Sequence, residues 1–320
     1  MHYSSLQKQL QALFLPLLPL SPAQCRRLAS LSSGLLLAGE VHLTKIARWL
    51  TGHTQQDSRV RWIQRLLEAP FLTPERVYQP VLKHALGRFR DRCWHIVIDR
   101  TTLWDAQVDL ATISLQFRKR AIPLVWRRVP FGGAPEAVYI DLLKECMALV
   151  PAQVGVIFHG DSEFGSVGMI RALREHGWDF IVGQRSNTHF RPLGSGQSLP
   201  LSSLPVTPNH PCQVANVELF AQHRLGGIQL VAFYQPHHSQ PGTCKRQICY
   251  LATSLPLTAA VRRLGQRRWG TEAFYRDYKS SGWHIAHHPF PVEVRCPSGG
   301  FADDVGAGVS MDRVPGAVVV

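Results

Sequence analysis

Residues 93–183 alternate short β-rich apolar runs with stretches of helical period, and that order constrains the fold more than any other feature of the chain. Trp94-His-Ile-Val-Ile-Asp99 is a strand-like run that ends on an acid, and residues 112–117 and 121–129 are two further strand candidates. Residues 138–149 then place Tyr139, Leu142, Leu143, Cys146 and Met147 on one side of a helix. A buried-type strand at 154–158 runs into His159-Gly-Asp161, a helix follows at 166–176, and a last strand covers 180–183. Three strands, a helix, a strand, a helix and a strand predict an α/β domain with a mixed sheet flanked by helices.

The segments on either side differ from this core. Residues 1–90 read as a helical domain. Leu35, Leu36, Leu37, Val41, Leu43, Ile46, Ala47 and Leu50 give one helical stripe with Gly52 as its cap. Residues 57–67 interleave Arg59, Arg61 and Arg65 with Val60, Trp62, Ile63 and Leu66, and Pro74 opens a further helix running towards Leu86. Those arginines fit either a solvated helix face or a phosphate-contacting surface. After the core, residues 186–254 turn rich in Pro, Ser, Gly and His, with strand-like runs at 213–220, 227–234 and 247–253. They read as a β-rich insertion, and residues 257–282 return to helix.

Charge narrows the partner. The formal net charge is +13, a surplus that repels itself unless a polyanion neutralises it, and nucleic acid is the commonest such partner. No stretch approaches the roughly 20 apolar residues that a membrane helix needs. The run at 10–20 is interrupted by Pro16 and Pro19, so the chain reads as cytoplasmic with no membrane partner. Seven cysteines without paired spacing argue against a zinc site, and Cys93 and Cys146, set in apolar runs, read as small packing residues.

Asp99 and Asp161 each close an apolar strand, 62 positions apart (161 − 99). Strand ends hold a backbone rigidly while leaving its tip open. Two carboxylates on neighbouring strands repel unless a cation sits between them, and Mg²⁺ suits such oxygen ligands. An aspartate at a strand-to-loop junction serves equally as a turn former or helix cap. The third acid sits in a helical array: Arg268 and Glu272 are at i, i+4 and Glu272 and Lys279 at i, i+7, so all three share one face. A salt-bridged surface helix would show the same spacing. Trp269, Phe274, Tyr275 and Trp283 are a heavy aromatic load for a merely solvated stretch, and Trp269 suits either core packing or stacking on a base. Glu163, two residues after Asp161, is an alternative ligand, but it would point to the opposite side if the strand continued. His237-His238 and His287-His288 read as exposed loop residues, and Ser162 lacks the glycines of a nucleophile elbow.

At these residues the chain resembles the DDE transposases of bacterial insertion sequences, specifically the insertion sequence 4 group. The match lies in Val-Ile-Asp99-Arg-Thr, in Gly-Asp161-Ser-Glu-Phe-Gly, and in Arg268, Glu272 and Lys279 in register with that group's Arg, Glu and Lys signature. It spans roughly residues 30–288. Gly265 occupies the signature's tyrosine position. The resemblance implies a ribonuclease H-like core over 91–288 in which Asp99, Asp161 and Glu272 bind two Mg²⁺ ions, with Mn²⁺ as a substitute, about 3.5–4 Å apart. Arg268 and Lys279 would hold phosphates of double-stranded DNA at element ends and target, Arg268 in a forked manner and Lys279 as a point charge, with the protein a homodimer on DNA. Residues 289–320 are rich in Gly, Pro and Val and carry no helical stripe, as a frame-shifted tail would. A DNA-binding remnant without catalysis is therefore the competing expectation, and a stand-alone nuclease of the same fold a third.

Overall fold

A computed structural model of the chain describes residues 2–52, 55–103, 108–118, 120–208, 210–240 and 243–265. The chain divides into two compact units, the first containing residues up to Arg90 and the second beginning at Asp91.

The N-terminal unit is helical: α1 Tyr3–Leu17, α2 Pro22–Ala38, α3 Leu43–Trp49, α4 Gln56–Leu67, and α5 Gln79–Leu86 entered through a π turn at Pro74–Tyr78. Ser21 starts α2 with a reciprocal cap, its side chain accepting from the Gln24 N–H while the Gln24 side chain accepts from the Ser21 N–H. Phe14, Leu28, Ile46, Ile63 and Leu66 meet in one core. The single helix expected across Leu35–Leu50 is in fact two. Gly39 adopts a left-handed conformation (φ 68°) and its N–H bonds back to the Leu35 carbonyl at 3.0 Å, ending α2. The apolar residues continue across this break because both helices contribute to the same core.

The second unit is built on one ten-stranded sheet in the order β3-β2-β1-β4-β5-β10-β9-β8-β6-β7. Its first half comprises β1 Cys93–Leu103, β2 Val108–Phe117, β3 Arg120–Val129, β4 Gly155–Gly160 and β5 Asp179–Gln184, with α6 Glu136–Met147 between β3 and β4 and α7 Val167–Glu175 between β4 and β5. β1 runs antiparallel to β2 and parallel to β4, and β5 parallel to β4, so β2 alone opposes the other four. This is the mixed sheet that the order of sequence periods predicts. α6 buries Tyr139, Leu142, Leu143, Cys146 and Met147, the side read from its spacing. Cys93 departs from expectation: it is exposed at the first residue of β1, where the covering elements have not begun.

The expected insertion supplies β6 His189–Arg191, β7 Leu199–Pro200, β8 Cys212–Leu219, β9 Leu225–Gln240 and β10 Thr243–Thr253. These strands extend the core sheet, because β10 pairs antiparallel with β5 from Tyr250↔Gln184 to Thr253↔Ile181. The Thr253 hydroxyl donates to the Phe180 carbonyl at 2.6 Å and pins that join. His237 and His238 lie within β9, paired to Lys245 and Cys244, rather than in a loop. α8 Ala259–Gly265 follows and packs on β5.

The two faces of the core differ. Ile96, Ile98, Phe158, Phe180 and Val182 point to one face, where α6 and α7 lie; Arg174 of α7 sits over the Phe180 ring. Residues of the other parity, among them Asp99, Ile157, His159 and Ile181, point to the opposite face. There α8 buries Val261 in a cluster with Ile181, Val231, Phe233 and Leu251.

Candidate active site

β1 and β4 pair from Cys93↔Gly155 to Val97↔His159, a constant offset of 62. Contrary to the sequence expectation, Asp99 does not close its strand, because β1 continues to Leu103, whereas Asp161 directly follows β4. The same offset, continued past Val97↔His159, sets the two side by side on one face. Adjacent strands lie about 4.8 Å apart, a spacing at which carboxylates on neighbouring strands can share a cation. Both residues are half-buried. Asp99 Oδ1 accepts from the Arg100 backbone N–H at 2.9 Å. Asp161 Oδ1 accepts from the Glu163 backbone N–H at 2.8 Å, inside a turn closed by the Phe164 N–H on the Asp161 carbonyl at 3.1 Å.

Glycines let that turn fold tightly over the strand ends. A Cβ at Gly183 would lie 2.7 Å from the Ser162 nitrogen and 2.9 Å from the Asp161 carbonyl carbon. One at Gly165 would lie 2.1 Å from the Gly183 carbonyl oxygen, and one at Gly160 would lie 2.9 Å from the Phe164 Cβ. Real Cβ atoms do not come that close to other heavy atoms, so the turn that holds Asp161 needs positions that carry none.

Arg100 points to the opposite face from Asp99 and anchors a polar network. Its guanidinium reaches Asp109 through Nη1 and Glu163 through Nε and Nη2, the latter at 3.0 Å from Oε2. Asp109 is fully buried and also accepts from the Thr102 hydroxyl at 2.7 Å and the Gly132 N–H at 2.9 Å. Burial pushes the Asp109 carboxyl up, but those donors and the Arg100 charge outweigh it and hold the group below its ordinary value. Burial likewise opposes the Arg100 charge, and Glu163 and Asp109 together more than restore it. The Tyr139 hydroxyl donates to Glu163 Oε1 at 3.0 Å and accepts from the Ala134 N–H at 3.1 Å. Glu163 thus turns to the Arg100 side, away from the face that carries the two aspartates.

Of this network only Glu163 was singled out in the sequence, as an alternative ligand, and its side chain serves Arg100 and Tyr139 instead. The available signals were an aspartate inside the apolar run Val108-Asp109-Leu110-Ala111, and opposite charges at Arg100 and Glu163 just past Asp99 and Asp161. On the aspartate face, His95 Nδ1 and His159 Nε2 lie 2.9 Å apart, further back along β1 and β4.

Of the other sequence-predicted residues, Arg268, Glu272 and Lys279 lie outside the described residues, as do Trp269 and His287-His288. Among the described residues, no group of three or more His, Cys, Asp or Glu is close enough to hold a metal ion. In the N-terminal unit Arg61 and Arg65 are exposed on α4. Arg59 instead donates from Nη1 to the Leu50 carbonyl at 2.6 Å, closing the α3–α4 connection, so it has a structural task. No helix among the described residues is long and apolar enough to cross a membrane.

Residues 136–290 match the family described as a transposase DDE domain. The match starts at α6 and takes in Asp161, Arg268, Glu272 and Lys279, while Asp99 precedes it. No curated protein matches the chain. Among solved structures, the piggyBac transposase synaptic complex with hairpin DNA is similar at 13% identity and a TM-score of 0.47, over 89% of this chain and 66% of that one. Marinitoga piezophila Argonaute in complex with a 5′-OH guide RNA is similar at 9% identity and a TM-score of 0.27, over 71% of this chain and 34% of that one. The chain spans just under two thirds of the length of the piggyBac chain and about a third of the Argonaute chain.

Proposed function

We propose that the chain is a transposase of the insertion sequence 4 group that cleaves and rejoins DNA strands at element ends, with Asp99, Asp161 and Glu272 as its metal-holding acids. The observation that carries this reading is the parallel pairing of β1 with β4 at the 62-residue offset that also separates Asp99 from Asp161, in a chain whose residues 136–290 are similar to transposase DDE domains. The described chain ends at Gly265, seven positions before Glu272 (272 − 265), and a Cβ there would lie 3.5 Å from Ile181 on the aspartate face. That location supports Glu272 as the third acid.

The donor set suits a hard divalent cation, since Asp99, Asp161 and Glu272 offer carboxylate oxygens alone. Bound there, two Mg²⁺ ions, or Mn²⁺ in their place, would supply activation of the attacking oxygen and stabilisation of the leaving one. Each aspartate presents a carboxylate whose Oδ1 is already oriented by a backbone N–H, so little reorganisation is needed when a phosphodiester arrives. Arg268 and Lys279 would bind phosphate oxygens and hold the scissile bond in line. In cleavage, water attacks phosphorus and the bond to the 3′ oxygen breaks; in joining, the freed 3′-hydroxyl attacks a target phosphodiester in the same way. Two ends must be cut together, so the working form is a homodimer on double-stranded DNA, and exposed Arg61 and Arg65 on α4 are candidate phosphate contacts beside Arg59.

The test is incubation of the full chain with Mg²⁺ and a labelled duplex carrying the sequence that flanks its coding region. Cleavage that disappears in Asp99→Ala, Asp161→Ala and Glu272→Ala supports the reading. Cleavage that survives any of them defeats the site. A second reading is favoured by the end of the family match at residue 290, where the unpatterned tail begins: a form that binds element ends without cutting them. Binding of the duplex with no cleavage by the unmodified chain would select it.

A further inference from the structure

Arg100 and Glu163 occupy matching places beside the two aspartates. Arg100 follows Asp99 and gives its backbone N–H to Asp99 Oδ1 at 2.9 Å. Glu163 stands two residues past Asp161 and gives its backbone N–H to Asp161 Oδ1 at 2.8 Å. The side chains of the same two residues are joined by an ion pair in which the fork of Arg100, Nε and Nη2, donates to Glu163 Oε2 at 3.1 and 3.0 Å. Each end of the pair is anchored again, Arg100 by buried Asp109 and Glu163 by the Tyr139 hydroxyl.

We propose that the Arg100–Glu163 ion pair is a positioning clip that sets the separation and tilt of the Asp99 and Asp161 carboxylates for a divalent cation. Strand pairing fixes the backbones of β1 and the end of β4, but it leaves the side-chain torsions of the aspartates open. Two like charges at neighbouring positions would turn apart before a cation arrives. Holding one oxygen of each by an amide fixes where the other can point, provided the amide itself cannot move. The clip supplies that condition for both amides at once, across the gap between the strands. Its side chains lie towards the other face, so the clip leaves the aspartate face clear. Arg100, Glu163, Tyr139 and Asp109 are positioning residues on this account and touch neither metal nor DNA.

The proposal rests on the assignment of Asp99 and Asp161 as metal ligands, and its experiment separates the two claims. Mn²⁺ binding to the full chain is measured by titration calorimetry for the unmodified protein and for Asp161→Asn, Glu163→Gln, Tyr139→Phe and Glu218→Gln. Loss of an outer hydrogen bond behind a metal ligand typically weakens affinity about 10–100-fold. Glu163→Gln is expected in that range, and Tyr139→Phe, which removes one hydroxyl and keeps the ring against Phe164, in the same direction by a smaller factor. Glu218→Gln breaks a comparable ion pair to Arg191 in the inserted strands and leaves Mn²⁺ affinity unchanged. A merely structural role would lower the unfolding temperature of Glu163→Gln without moving the titration midpoint of the folded protein. Should Glu163→Gln not fold, Tyr139→Phe decides the matter. Unchanged affinity in Glu163→Gln and Tyr139→Phe, with binding lost in Asp161→Asn, overturns the clip and leaves the ligands standing. Equal titrations for the unmodified protein and Asp161→Asn overturn the ligand assignment and the clip with it.

Discussion

Asp109→Asn tests the buried half of the network, and its cost follows from the bonds the carboxylate makes. Asp109 is fully buried and accepts from Arg100, Thr102 and Gly132. The amide of asparagine keeps the shape but loses the charge and turns two of its own N–H groups towards donors. Removing one partner of a buried ion pair costs about 3–5 kcal/mol. Arg100 is 22% exposed and keeps Glu163, so the lower end, about 3 kcal/mol, is expected. For a unit of this size that corresponds to a fall of about 6–12 °C in Tm. Urea unfolding at pH 7 measures it, and pH adds a second check. The folded carboxyl is held below its ordinary value of 3.8, so its contribution is full above that value and fades as pH falls through the lower folded value. The gap between the two proteins should therefore shrink below about pH 4. A difference under about 1 kcal/mol at pH 7, or a gap that widens in acid, would refute the reasoning.

Three further outcomes are expected. Gly183→Ala drives a methyl into the Asp161 turn; overpacking of this kind costs about 1–3 kcal/mol, and Mn²⁺ affinity should fall with it, both read from one preparation by urea unfolding and calorimetry. Gly39→Ala meets nothing within 4 Å, so its cost is the left-handed backbone alone, about 1 kcal/mol by urea unfolding, with Gly39→Asn closer to the parent. Affinity for double-stranded DNA should fall steeply between 50 and 200 mM salt because phosphate contacts release counterions; a flat salt response in an anisotropy titration would contradict DNA as the partner.

What the sequence made legible follows from how local each signal is. An acid that interrupts an apolar run is a local signal, so Asp99 and Asp161 could be picked out although β1 continues past Asp99 to Leu103, and the order of periods was enough for the mixed sheet. Their shared register was not legible, because the 62-residue offset means something only once β1 and β4 are known to pair. Pairing of β10 with β5 was hidden for the same reason, so the insertion could be placed in the core domain but not joined to its sheet. β6 and β7 are too short for alternation to appear. Gly39 was passed over because the apolar residues from Leu35 to Leu50 continue across the break. The Arg100 network stayed invisible because Asp109, Arg100, Tyr139 and Glu163 lie on different elements, and only folding gives each charge its partner.

Anomalous diffraction from crystals of the full chain soaked in Mn²⁺ tests the central claim most directly. The account predicts a metal peak ligated by the carboxylates of Asp99 and Asp161, with Glu272 completing the set from the chain beyond α8. A peak bound elsewhere, or a Glu272 carboxylate too far from both aspartates to share a metal with them, would contradict it.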